Sequence, residues 1–151
     1  MAVNFETAEA LVRTQLKADI LAAFTSAVPT AIYDDPDFLP STQADLPRFF
    51  IVLQNIDPVR GGYTAAIGEI SMWFTYDIIH QIAWPTGTTL EYQKLHQSQT
   101  LITQLTANLV YAGNYRRDFK GVKFDDQQAT EQHERYLTIT TTFAVEIVSS
   151  A

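Results

Sequence analysis

The chain has 151 residues and a mass of 17.0 kDa, close to the commonest size of one domain. Hydrophobic residues make up 46% and charged residues 18%, below the typical ~25%, which excludes intrinsic disorder and favours a surface partly covered by a partner. The net charge of −7, with no basic stripe, excludes a typical nucleic-acid reader. From the length of the chain, we predict a single domain over residues 1–151.

Cysteine is absent from the sequence, which excludes disulfides and thiolate metal sites and fits a chain made in a reducing compartment. The first twenty residues mix acidic with apolar side chains. That pattern is typical of neither a signal peptide nor a membrane span.

An amphipathic helix is predicted at the N-terminus, because Asn4 is a good N-cap and Pro29 lies beyond the end. Its apolar residues recur every three or four positions: Phe5, Ala8, Val12, Leu16, Ile20, Phe24 and Ala27. Residues 31–47 contain three prolines among Asp and Ser, which predicts an irregular loop or arm.

Two strands should follow. The apolar run in "RFFIVLQNI" at 48–56 predicts a strand buried on both faces, and "DPVRGG" at 57–62 predicts a turn. A long strand from about Ala66 alternates in polarity, with Phe74, Tyr76 and Ile78 on its core face and Trp73 on the other.

A second helix is predicted from the capping box formed by Thr88 and Glu91 to a C-terminal glycine, Gly113. Its predicted apolar stripe consists of Leu95, Ile102, Leu105 and Leu109.

The last third of the chain predicts two more strands. Tyr115 to Phe124 forms a short one, residues 125–134 form a polar connection, and "RYLTITTTFAVEIV" at 135–148 forms a long one. Its core face would hold Leu137, Ile139, Thr141, Phe143, Val145 and Ile147, while the Thr-rich opposite face meets solvent or lines a channel. The predicted fold class is α+β, a mostly antiparallel sheet with two helices on one face, in the order α-β-β-α-β-β.

Catalytic and metal-binding patterns are not evident in the sequence. The histidines have no metal-ligand spacing, and we interpret His80 and His96 as polar surface residues. The carboxylate pairs Asp34–Asp35 and Asp125–Asp126 fall in turn-rich segments, where solvated turn residues are the ordinary interpretation. We predict no enzymatic activity and no cofactor.

The basic pair in "YRRD" falls just past the predicted second helix. Arginines at this position would interact favourably with the carbonyl groups at the C-terminus of the helix, but this interaction explains one arginine better than two. Alternatively, one of Arg116 and Arg117 serves its own fold and the other binds a carboxylate of an adjacent molecule, with Asp118 beside them. For Trp73, packing within or between subunits is favoured over stacking on a ligand.

The sequence resembles the lambda-type tail terminator proteins of tailed bacteriophages. The matching strings are "DLPRFFIVL", "GEISMWFTYDI", "SQTLITQLTANLV", "YRRD" and "YLTITTTFAVEI", in that order. They span nearly the whole chain, although the proline-rich 28–47 segment and residues 119–134 are longer here.

The resemblance implies a structural virion protein: a hexameric ring that caps the tail tube, ends its polymerisation and joins the tail to the head. The implied partners are five further copies of this chain, the tail tube protein, a head-completion or connector protein and, where the tail has one, a sheath protein. DNA would pass through the lumen without specific binding, there would be no membrane partner, and the location would be the virion neck, reached from the host cytoplasm.

Two groups of residues are predicted to make these contacts. Subunit-interface residues are Tyr115, Arg116, Arg117, Asp118 and Trp73; tube or neck contacts are Asp34, Asp35, Asp57 and Arg60. An Arg117→Glu substitution is expected to leave the monomer folded and impair ring formation. The alternatives are another tail-tube, tail-completion or connector ring protein, or a small ligand-binding or enzymatic α+β domain.

Overall fold

The computed structural model describes residues 5–25, 28–34, 46–58, 69–83, 90–107, 110–111, 115–128 and 135–150. Within these ranges the chain forms two helices and six strands. In chain order they are α1 Phe5–Ala23, β1 Ala31–Asp34, β2 Arg48–Pro58, β3 Glu69–Ala83, α2 Leu90–Ala107, β4 Val110–Tyr111, β5 Tyr115–Gln128 and β6 Arg135–Ser150.

The strands form one mixed sheet in the order β1-β2-β3-β6-β5-β4. β1 pairs with β2 in parallel, and every other neighbouring pair is antiparallel. The α+β class and the mostly antiparallel sheet are confirmed, but the predicted element order is wrong because it lacks β1 and the two-residue β4. Both are too short to show a periodic pattern, and β1 lies within the segment whose prolines indicated a loop.

Helix α1 buries the predicted stripe against one face of the sheet. Five of its predicted positions through Phe24 are buried, and Phe5 packs against the same cluster. The strands contribute alternate residues to this core: Phe49, Ile51, Phe74, Tyr76, Ile78, Phe143, Val145 and Ile147. The core-face predictions for β3 and β6 are confirmed, since the side chains of a strand alternate between the two faces.

Helix α2 faces the sheet through a stripe that shares Leu105 with the predicted one but does not include Leu95. Leu101 and Leu105 join the core, and Ser98 is buried on the same side, but Leu95 is 68% exposed. Residues 98, 101 and 105 lie on one side of the helix, and Leu95, three residues before Ser98, lies at the margin of that side, where it is exposed. Leu109 and Thr88 lie outside the described residues.

Strand β5 is longer than predicted because its ladder with β6 continues to the pair Gln128–Arg135. Asp125 therefore lies in a strand and not in the polar connection, and it is exposed there. The β5–β6 register shifts between Phe119 and Gly121, where Lys120 is the extra residue of a bulge.

Candidate assembly surfaces

Arg117 of β5 is buried beneath both helices. Its Nη1 donates a hydrogen bond to Oδ2 of Asp19 on α1 at 2.5 Å, and another to the backbone carbonyl of Leu105 in the last turn of α2 at 3.1 Å. Gln15 donates to the other Asp19 oxygen at 3.1 Å. Because the last carbonyls of a helix have no partner within it, Arg117 caps α2 as well as pairing with α1.

This geometry gives Arg117 a role within its own subunit. One of the two interpretations of the arginine pair assigned one arginine to its own fold, and Arg117 fits that assignment. The side chains of Arg117 and Asp19 are 0% and 3% exposed. Removing one partner of such a pair costs about 3–5 kcal/mol, since the other charge stays buried. The expectation that Arg117→Glu leaves the monomer folded is therefore wrong: it would bury two carboxylates against each other.

The neighbours of Arg117 lie near the N-terminal end of β5. Tyr115 and Arg116 pair with Tyr111 and Val110 of β4, and the side chains of both lie outside the described set. Asp118 is exposed and accepts a hydrogen bond from Lys120 at 2.9 Å. Contacts of Tyr115, Arg116 and Asp118 with another subunit remain predictions.

Trp73 lies on the sheet face opposite the helices, as predicted. We call this face the second face: it comprises the residues of β2, β3, β5 and β6 that alternate with the core residues, and no described helix packs on it. Trp73 is partly buried, with the Lys120 ammonium 5.8 Å from its ring centre. A cation over an indole ring is a favourable contact. The indole therefore packs within its own sheet, and contact with another subunit stays a prediction.

Cross-strand rows run over the second face. One row is charged and aromatic, and consists of Asp57, Trp73, Glu146 and Arg116. The next consists of Asn55, Thr75, Ala144 and Asp118. Near the middle, Thr142 donates to Asp77 at 2.7 Å across β6 and β3. This face is therefore largely polar, with charges of both signs.

A buried row of polar side chains lies at the end of the second face opposite to Trp73. Arg48 Nε donates to Gln81 Oε1 at 2.6 Å, and Gln81 Nε2 donates to Thr138 Oγ1 at 3.3 Å, joining β2, β3 and β6. Arg48 and Gln81 are fully buried and Thr138 is 6% exposed. Sequence reasoning missed this row, because its members are far apart in the chain and only the strand register aligns them.

Asp34, a predicted tube or neck contact, is tied to α1. Its carboxylate accepts from Lys17 at 2.8 Å and from Arg13 at 3.4 Å, and Arg13 also donates to the Ile51 carbonyl at 2.8 Å. Burial alone would raise the pKa of Asp34, but the Lys17 hydrogen bond and the two positive charges outweigh it and hold that pKa below its ordinary value. Asp34 thus helps anchor β1 to α1.

The remaining predicted contacts lie around the β2–β3 connection and after β1. Asp57 is exposed near the end of β2 and accepts a hydrogen bond from Asn55. Arg60 and Asp35 lie outside the described residues. Their contact with tube or neck stays a prediction.

His80 is buried in an aromatic cluster, so its interpretation as a surface residue is wrong; His96 is exposed as expected. The imidazole stacks on Phe49 with centroids 4.0 Å apart and lies 5.0 Å from Phe24. Burial lowers the pKa of His80 to about 3, which keeps it neutral at pH 7. A small pocket of about 250 Å³ adjoins it, lined by Phe24, Leu46, Pro47, His80, Ile82, Ala83 and Gln97.

Two different edges of the sheet remain without a partner strand among the described residues. One is the outer edge of β1; the other is the outer edge of β5 beyond the two positions that β4 occupies. Each carries half-exposed apolar side chains, Tyr33 on β1 and Phe119 and Val122 on β5. Exposed strand edges with apolar residues are sites where another strand can add.

No described helix has the length and apolar character needed to cross a bilayer, and the described residues hold no group of three or more potential metal ligands. Comparison of the sequence with protein-family models gives no match, and comparison with curated proteins gives no significant match.

Proposed function

We propose that this protein is a structural component of a bacteriophage tail, a homohexameric terminator ring that caps the tail tube and joins it to the head. The sequence strings that resemble lambda-type tail terminators support this, because they span nearly the whole chain in one order. The protein acts through the shape and chemistry of its surfaces.

The structural observation that carries the proposal is the sheet with two dissimilar edges. A ring of identical subunits with cyclic symmetry needs two different surfaces on each copy that fit each other. The edges at β1 and β5 lie at opposite sides of one sheet, and among the described strands only β4 covers part of either edge, at Tyr115 and Arg116. The strands β3 and β6, of 15 and 16 residues, also extend about 50 Å, which gives height to such a ring.

The charge of the chain suits passage of DNA through a ring. Six copies of a chain with net charge −7 would carry −42. A surface of the same sign as the phosphate backbone does not retain DNA. The second face is mostly polar and carries charges of both signs, so it offers little basic surface that could bind DNA.

Ring formation can be tested with the purified protein by native mass spectrometry and negative-stain microscopy. We expect a species of six times 17.0 kDa and rings with a central hole. Stacked tubes would instead favour a tail-tube subunit. A protein that stays monomeric at high concentration would overturn the proposal.

A matched pair of charge reversals separates the predicted surfaces. Asp118 and Asp57 are both exposed aspartates on strands, the first predicted at the subunit interface and the second at the tube or neck. Asp118→Arg should reduce the hexamer fraction, whereas Asp57→Arg should leave the hexamer intact and weaken its binding to tail tubes. The reverse pattern would exchange the two assignments.

A further inference from the structure

We infer that the ring closes by strand addition: the outer edge of β1 in one copy pairs antiparallel with the outer edge of β5 in the next copy. The occupant of each edge is thus a second copy of this chain. This inference rests on the proposed ring and specifies which surfaces meet in it.

The strand directions make the pairing geometrically possible. β1 runs parallel to β2, and the sheet then alternates in direction through β3, β6 and β5, so β1 and β5 run in opposite directions. Rotation about a ring axis roughly parallel to the strands preserves these directions. The β1 strand of the next copy would therefore meet β5 antiparallel, the arrangement of most pairs in this sheet.

The length of the open edge also fits. β4 covers β5 at Tyr115 and Arg116 only, so the twelve positions from Arg117 to Gln128 remain open among the described strands. β1 has four residues; β5 offers three open positions before its bulge and eight after it, at 121–128, so all four fit beyond the bulge. Tyr33, Phe119 and Val122 would lose exposed apolar surface in the contact.

The charges along the open part of β5 are balanced. Its positions 117–128 hold three basic and three acidic residues. Arg117 is paired with Asp19, Lys120 with Asp118 and Lys123 with Asp125, and Asp34 of β1 is paired with Lys17. Contact between the edges of two copies therefore depends on strand pairing and on burial of the apolar side chains, not on charge.

The absence of native cysteine makes the pairing measurable by disulfide cross-linking. Ala31 of β1 and Lys123 of β5 both lie on the second face by strand register, while Val122 lies on the helix side. The double variant Ala31→Cys/Lys123→Cys, oxidised mildly, should give a ladder of covalent multimers up to the hexamer on a denaturing gel. Ala31→Cys/Val122→Cys should give much less, because its thiols point to opposite faces.

The single variants decide between unlike and like edges. Neither Ala31→Cys nor Lys123→Cys alone should form covalent dimers. Dimers of Lys123→Cys alone would overturn the inference, because they would show β5 paired with β5. Thermal melts followed by circular dichroism should show that each variant stays folded.

The result also separates this inference from the proposed function. Hexameric rings without cross-links in the double variant would overturn the β1–β5 pairing and leave the terminator ring standing. Covalent open chains without rings would support the pairing and contradict the ring. A protein that forms neither overturns both.

Discussion

The guanidinium of Arg117 and the carboxylate of Asp19 form a buried ion pair that joins a strand near the sheet edge to the first helix. The same guanidinium holds the last turn of α2 through the Leu105 carbonyl, so three elements meet at one side chain. The sequence separation between the paired residues is 98 positions. The "YRRD" string therefore contains a residue that fixes the helices on the sheet.

Removal of either partner should destabilise the monomer strongly. We expect Arg117→Met or Asp19→Leu to lower the free energy of unfolding by about 3–5 kcal/mol, because each leaves one buried charge. The double variant should recover part of this loss, since both charges are gone. Urea unfolding of all four proteins measures the coupling.

An exposed pair on the same strand serves as the control. Lys120 and Asp118 are about half exposed, so Lys120→Ala should change monomer stability by only about 0–1 kcal/mol. Equal effects of Lys120→Ala and Arg117→Met would contradict the role assigned to Arg117.

The burial of His80 predicts acid sensitivity. The pKa is lowered from 6.5 to about 3 in the folded protein, so the unfolded chain binds a proton that the folded protein does not bind between these values. The contribution of His80 to the free energy of unfolding is fully present above pH 6.5 and is lost as the pH falls towards 3. At pH 5 the loss from this histidine is about 2 kcal/mol. Melting temperatures measured from pH 4 to pH 7 would report this loss of stability.

The variant His80→Phe should flatten that pH profile, because an aromatic ring without a titrating group can still stack on Phe49. His96→Ala, on the exposed face of α2, is the matched control and should retain the wild-type profile. A wild-type profile in His80→Phe would show that other groups cause the acid loss.

The Arg48–Gln81–Thr138 row should contribute to stability in proportion to the partners that each change leaves unsatisfied. Gln81→Leu removes the acceptor of Arg48 Nε and should cost about 1–3 kcal/mol. Thr138→Val removes only the acceptor of the Gln81 amide and should cost about 1 kcal/mol. Chemical unfolding would rank the two; a costlier Thr138→Val would contradict the arrangement.

The spacing of apolar residues predicted which face of a long helix or strand is buried. The α1 stripe and the core faces of β3 and β6 are confirmed because long alternations or helical repeats specify a face without help from distant residues. β1 and β4 were missed since four and two residues carry no period, and their pairing depends on neighbouring strands.

Individual polar residues were harder to place. The sequence favoured a surface position for His80 because it is a polar residue at a strand end, yet its position in the strand alternation puts it with Tyr76 and Ile78 on the core face. For the arginine pair, the sequence indicated a helix-end contact or a partner carboxylate, but only the tertiary fold shows that Arg117 reaches Asp19. The alternation of β3 could have revealed His80; nothing local could have revealed Asp19.

The corrected orientation of α2 gives a sharp comparison between two leucines of one helix. Leu101 is 1% exposed in the core and Leu95 is 68% exposed, although the sequence pattern favoured Leu95. Leu101→Ala should cost about 2–5 kcal/mol, because it removes buried methyl groups and leaves a cavity. Leu95→Ala should stay within about 0.5 kcal/mol in the monomer.

Equilibrium unfolding in urea at low protein concentration isolates the monomer and tests both changes. Alanine is the best helix former, so a loss in Leu101→Ala cannot come from helix propensity. If Leu95→Ala proved the costlier substitution, α2 would face the sheet through the stripe of Leu95 and Ile102, and the contact of Arg117 with the end of this helix would need a different geometry.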